Sequence, residues 1–381
     1  MVWEANESYP VDPARDGMQS IDGFLVEVKD WASMARRMHF DQGTLSGKRT
    51  MNERVLIVDP ALDLAIRGNQ VDKYKMFKTD AFDPKFKAKI EEISTNELLS
   101  SNVKLDRVVN DGYPLLDART VRDLIQIQLD AKADFVVPPV VPITSSRQIE
   151  KQVTKAKEMI KQTHVYMDTV FNRYKNSIDI MNLITINASV LNADNYNHLL
   201  SLALTLSPDH IGIRLVNFAT SNDSQMRSIA AFLNQLSEAM KINDLNSPLH
   251  MINFDHLGYT TYCLGAQTVT MPIAIDPYFY SRGHSGEDRP EDNGAYYRMK
   301  DMSYVRHNDL RMELAEDNYR LPCDCEACEG RTILEIDEKH DWNRFRRLHE
   351  ILARDIEIKQ FRDSKIPPCR AIQDQLALLG S

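Results

Sequence analysis

MNLITINASVLNADNYNHLLSLALTLSPDHIGIRLVNF, Met181 to Phe218, carries two β-branched apolar runs, MNLITINASV and HIGIRLVNF, separated by a helical segment. Neither run alternates strictly between apolar and polar, the pattern of strands covered on both faces. Strand, helix and strand at this spacing form a βαβ unit, which requires a parallel sheet.

The same rhythm extends in both directions. Upstream, DFVVPPVVPI (Asp134–Ile143) leads into SSRQIEKQVTKAKEMIKQ, with Ser145 or Ser146 as N-cap. Downstream, SNDSQMRSIAAFLNQLSEAMKI follows the second run. LHMINF (Leu249–Phe254), a short segment ending at Gly265, and QTVTMPIAID (Gln267–Asp276) come next. GFLVEVKDW, RVLIVDPAL and KYKMFKTD supply candidate strands nearer the start. The expected fold class is therefore α/β, a (β/α)8 TIM-like barrel, with a doubly wound sheet as the alternative. Its boundaries are read as a barrel over 1–320, a metal-binding segment and helix over 321–362, and a tail helix over 363–381.

Composition narrows the function classes. The chain has 381 residues, 43% hydrophobic and 27% charged, as expected of a cytoplasmic globular protein. MVWEANESYPVDPARDG is polar and acidic, unlike a cleaved secretory signal. The longest apolar stretch, Phe135 to Ile143, contains three prolines and is too short to span a bilayer, so no membrane association is expected. A net charge of −9 argues against a diffuse basic coat. Local basic grooves survive such a total, and Arg36, Arg37, Lys48 and Arg49 form one candidate, Arg344, Arg346 and Arg347 another. GTLSGKRT (Gly43–Thr50) is one residue short of a phosphate-binding loop and has Arg49 where Ser or Thr would bind magnesium.

LPCDCEACEG (Leu321–Gly330) places three of the five cysteines, Cys323, Cys325 and Cys328, within six residues. Cys-x-Cys thiols are poorly placed to bridge one another but can converge on a tetrahedral ion from a turn. The helix WNRFRRLHEILARDIEIKQF (Trp342–Phe361) supplies a fourth ligand. His349 flanks its apolar stripe of Phe345, Leu348, Leu352 and Ile356; His340, in the polar EIDEKHD connection, is the competitor. Three thiolates and one imidazole leave no open position, so the expected cofactor is a structural zinc ion, Zn2+.

A parallel barrel followed by Cys-x-Cys-x-x-Cys (Cys323, Cys325, Cys328) and a helical histidine (His349) resembles the tRNA-guanine transglycosylase superfamily. DARTVRDLIQIQLDAKADFVVPP, LHMINF and CLGAQTVTMPIAID are similar to the family's helix-to-strand and late-strand segments. The resemblance implies exchange of guanine in nucleic acid for a 7-deazaguanine base through an aspartyl glycosyl intermediate. Breaking an N-glycosidic bond builds positive charge at C1′, which a carboxylate beneath it stabilises, while the departing base needs a proton.

Asp276, ending an apolar run six positions before Arg282, is the nucleophile candidate, although the family's usual alignment position holds Thr270. Asp80 in MFKTDAFDPKF is the candidate second aspartate, with Asp59 (LIVDPA) as alternative. Asp255, Tyr278, Tyr280 and Arg282 are candidate substrate-binding residues, the tyrosines as stacking platforms for an extracted base. Val140 and Val141 stand where the family places a base-reading aspartate. The departures favour a divergent branch, with DNA preferred and tRNA the other substrate. A non-catalytic paralogue that binds nucleic acid or a partner subunit is the alternative, and a homodimer is the family's expectation for assembly.

Overall fold

The apolar runs that the sequence leaves covered on both faces do form parallel strands. The computed structural model describes residues 2–5, 23–27, 55–60, 84–96, 107–112, 116–131, 133–170, 178–216, 223–252, 257–263, 265–272, 295–300, 302–339 and 342–364. Its parallel strands are β1 (Val2–Ala5), β2 (Gly23–Glu27), β3 (Val55–Asp59), β4 (Phe135–Val136), β5 (Asp179–Asn187), β6 (His210–Val216), β7 (Leu249–Ile252) and β8 (Thr268–Pro272). They pair in chain order, and the sheet curls until Thr270 of β8 lies beside Val2 of β1.

Parallel neighbours need long crossovers. Helices α1 (Pro84–Thr95) and α2 (Ala118–Asp130) lie between β3 and β4, and α3 (Ile149–Val170) between β4 and β5. Helices α4 (Tyr196–Ala203), α5 (Asp223–Ile242) and α6 (Leu257–Cys263) make the next three crossings. The parallel α/β architecture is thus as expected. The connections from β1 to β2 and from β2 to β3 lie outside the described residues.

Two local expectations change. The first strand comes from Val2–Ala5, inside the segment that reads as polar and acidic; pairing on both sides, to β2 and β8, outweighs its weak apolar pattern. KYKMFKTD lies outside the described residues. In addition, DFVVPPVVPI forms regular strand only at Phe135–Val136, because Pro138 and Pro139 have no N–H to donate to a ladder. The side-chain amide of Gln128 stands in for the missing partner. Its Oε1 accepts from the Val137 N–H at 2.7 Å, and its Nε2 donates to the Val137 carbonyl at 2.9 Å.

The helices follow from their stripes. In α2, Asp117 caps the Thr120 N–H at 2.8 Å, and Val121, Leu124, Ile125, Gln128 and Leu129 are buried at helical spacing. Before α3, Ser145 has cap backbone geometry but makes no side-chain cap bond. Gln152 Oε1 instead accepts from the N–H groups of Thr144 and Ser145.

Inside the curl lies a small apolar core of Leu25, Ile57, Val137, Met181, Leu183 and Ile252. Gly212 fits closely there, since a Cβ would stand 2.9 Å from Leu183 Cδ1 and make that side chain shift. A much larger core runs between the outer sheet face, the helices and the C-terminal segments, and it includes the three cysteines. Those segments are the antiparallel pair β9 (Ala295–Arg298) and β10 (Ser303–Arg306), with helices α7 (His307–Glu313), α8 (Ile333–Lys339) and α9 (Trp342–Ser364). No helix among the described residues is long and apolar enough to cross a membrane.

Candidate metal centre

Backbone hydrogen bonds fold Leu321–Gly330 into a tight knuckle. The Cys325 carbonyl accepts from the N–H groups of Cys328 (2.8 Å) and Glu329 (2.9 Å), and the Cys328 carbonyl accepts from Arg331 (2.9 Å). Gly330 turns the chain at φ +69°, where a side chain would be strained. An antiparallel bridge between Arg320 and Thr332 clamps both ends of the loop. The result is three cysteines on one buried side, with exposures of 6%, 1% and 1% for Cys323, Cys325 and Cys328.

Helix α9 brings the fourth group. His349 is fully buried, and its Nδ1 lies 3.3 Å from Cys325 Sγ and 3.1 Å from Cys328 Sγ. Its Nε2 lies 2.5 Å from the Tyr297 carbonyl, an acceptor that fixes the proton on Nε2 and turns the Nδ1 lone pair toward the sulfurs. The Tyr296 ring stacks on the imidazole at 4.1 Å and 5°. His349, the candidate at the edge of the stripe, therefore joins the sulfurs; His340 lies outside the described residues.

The four ligand atoms all lie within 4.8 Å of one another. Bonds of about 2.3 Å to sulfur and about 2.0 Å to nitrogen in a tetrahedron set S···N separations of about 3.6 Å, close to the spacing present. The electrostatics agree with a cation site. Hydrogen bonds from Cys325 and Cys328 draw the Cys323 thiol well below its usual range, while the same crowding pushes Cys328 well above its own. Three sulfurs so close cannot all carry charge without a positive partner. Burial alone would lower His349, but hydrogen bonds with Cys323 and Cys325 hold it up at about 9. Burial keeps the Tyr296 phenol protonated, and it faces Cys328 Sγ at 3.5 Å. Cys323, Cys325, Cys328 and His349 could thus hold one metal ion such as zinc, with every ligand position filled by the protein.

A second layer behind His349 was not read from the sequence. Glu357 accepts from the Tyr297 hydroxyl (2.6 Å) and from the Tyr259 hydroxyl (3.3 Å). Glu350 accepts from Tyr304 (2.6 Å) and Arg354 Nε (3.3 Å), and the Arg354 guanidinium lies 4.4 Å above the Tyr297 ring. Tyr259 belongs to α6, the crossover into β8, so this network ties the histidine's helix to the sheet. Its signal was available as charged residues, Glu350, Arg354 and Glu357, at the three- and four-residue spacing of one buried face of α9.

The expected catalytic residues Asp80 and Asp276, and the expected substrate-binding residues Asp255, Tyr278, Tyr280 and Arg282, all lie outside the described residues. Asp59 ends β3, is 2% exposed and forms a buried ion pair with Arg214 of β6. Thr270 is fully buried in β8, and Val140 and Val141 belong to the large apolar core. Neither a known protein family nor a curated protein matches this chain.

Proposed function

We propose that this chain is a base-exchange transglycosylase of nucleic acid, built on a complete (β/α)8 barrel and held by a structural zinc ion. The observation that carries the reading is the convergence of Cys323, Cys325, Cys328 and His349 after the last parallel strand, the arrangement on which the family resemblance rests. In this reading Asp276 attacks C1′ of the target nucleotide and holds the glycosyl group, and Asp80 handles the proton of the departing and incoming bases. Tyr278 and Tyr280 stack on the extruded base, while Asp255 and Arg282 bind the substrate. The polymer is DNA in the preferred version and tRNA in the other, and the incoming base is a 7-deazaguanine. Zinc takes no part in the chemistry, because its protein ligands complete the coordination sphere. The site of action is the cytoplasm, and the assembly is a homodimer or a complex with partner subunits.

A second reading is favoured by three buried residues. Thr270 at the family's usual nucleophile position is sealed within β8, and Val140 and Val141 offer no polar edge to a base. These features support a non-catalytic paralogue that binds nucleic acid or a partner subunit. Trapping separates the two. The zinc-loaded protein is incubated with DNA or tRNA and a 7-deazaguanine, then denatured. The enzyme reading predicts a covalent protein–polymer adduct that Asp276→Asn abolishes. Absence of an adduct with either polymer supports the binding module instead.

A further inference from the structure

At the opposite end of the sheet from the strand C-termini, four side chains on consecutive strands are joined in one chain of hydrogen bonds. Asp179 begins β5, His210 begins β6, His250 is second in β7 and Thr268 begins β8. Asp179 Oδ2 lies 3.2 Å from His210 Nε2, and His210 Nδ1 lies 2.9 Å from His250 Nε2. His250 Nδ1 lies 2.5 Å from Thr268 Oγ1. Phe135 of β4 packs its ring on both imidazoles, at 4.3 Å and 5.9 Å. The chain grades from wet to dry: the Asp179 side chain is 49% exposed, the His210 side chain 13%, and His250 as a whole residue 5%.

Donors and acceptors in this row have only a few consistent assignments. With Asp179 ionised and both imidazoles neutral, His210 donates Nε2–H to the carboxylate and accepts at Nδ1 from His250 Nε2–H. His250 then accepts at Nδ1 from the Thr268 hydroxyl. Adding one proton reverses the inner part. His210 becomes an imidazolium with its counter-ion already beside it, its Nδ1–H donates to His250 Nε2, and His250 Nδ1–H donates to Thr268 Oγ1. Every hydrogen bond survives. A second proton has no such solution, because both facing nitrogens would carry hydrogens and two imidazoliums would stand in contact.

We propose that Asp179, His210, His250 and Thr268 form a one-proton latch across the N-terminal mouth of the sheet, closed when neutral or singly protonated and released by a second proton. The groups facing His250 are His210 from β6, Thr268 from β8 and the Phe135 ring from β4, with the Asp179 carboxylate reaching it through His210. The neighbouring Asp209 carboxylate accepts from the Ile180 N–H. Burial and then the His210 charge lower His250 to about 4, in accord with a proton that enters last. The latch depends on the fold alone and holds whichever functional reading is correct.

The test is imidazole NMR on the full-length, zinc-loaded protein with 15N-labelled histidine, titrated downward from pH 8. Two observations are expected. A through-hydrogen-bond nitrogen–nitrogen coupling between His210 and His250 persists through the first proton uptake and vanishes at the second. His250 protonates with a midpoint of about 4, and His210→Gln raises that midpoint by removing the cation beside it. A His250 midpoint near its ordinary value, no coupling at neutral pH, or an unchanged midpoint in His210→Gln overturns the proposal. If His210→Gln does not fold, Asp179→Asn takes its place. Loss of the counter-ion must lower the pair's first midpoint, and an unchanged first midpoint overturns the latch.

Discussion

Tyr296 serves the metal centre without being one of its ligands. Its ring covers one face of His349 and its hydroxyl approaches Cys328 Sγ. Groups in this position typically change metal affinity by about tenfold or more. Tyr296→Phe should keep the stacking and speed zinc loss to a competing chelator by about tenfold, followed with a colorimetric zinc indicator; an unchanged rate removes the hydroxyl from the account. The ligands themselves act more severely. Cys325→Ser should abolish stoichiometric zinc and lower the melting temperature by about 5 °C or more, since a structural site contributes its binding energy to folding. The four ligands were legible in the sequence because metal-binding side chains are recognisable by type and spacing. Tyr296 and Tyr297 were not, because a ring stack and a backbone carbonyl leave no mark on spacing. The carbonyl that orients His349 could have belonged to any residue type.

At the scale of elements, two of the places where the sequence reading and the structure differ have clear physical causes. A strand interrupted by Pro138 and Pro139 loses ladder donors, and an interior glutamine repairs the loss from a helix earlier in the chain. Gln128→Leu keeps the volume but leaves the buried N–H and C=O of Val137 without that partner. It should cost about 2–3 kcal/mol in urea unfolding, and a cost near zero would mean that the amide pairing is dispensable. Val2–Ala5 is a strand because two neighbours pair with it, information held elsewhere in the chain. The β5–α4–β6 unit, by contrast, was readable as strand, helix and strand, since its apolar runs and the helical segment between them agree, with the first strand ending at Asn187 and not Val190. Helix α9 is tied to β9 and α6 through the Glu357 carboxylate. Replacing Glu357 by Gln weakens its bonds to Tyr297 and Tyr259, and it should loosen the zinc segment before the sheet, seen as faster amide exchange at His349–Phe361 than in β5 and β6.

For the whole molecule, the acid limb of stability follows from His250. Its pKa is lowered from 6.5 to about 4 in the folded chain, so between those values the unfolded state binds a proton that the folded state refuses. This contribution is fully present above pH 6.5 and is lost as pH falls toward 4, by at most about 3 kcal/mol. His250→Gln should flatten that limb in denaturant titrations at pH 4 to 7; an unaltered slope assigns acid sensitivity to other groups. Over the same range protons compete with metal at the thiolates, so chelator-resistant zinc sets the reference state for these titrations. One polar shell joins helix α9, which carries His349 of the metal centre, to the crossover α6 that leads into β8. The most direct test of that centre is X-ray absorption at the zinc edge on the purified chain. The zinc reading predicts one zinc per chain with three sulfurs at about 2.3 Å and one nitrogen at about 2.0 Å. A chain without metal, or an ion surrounded by oxygen, would contradict it.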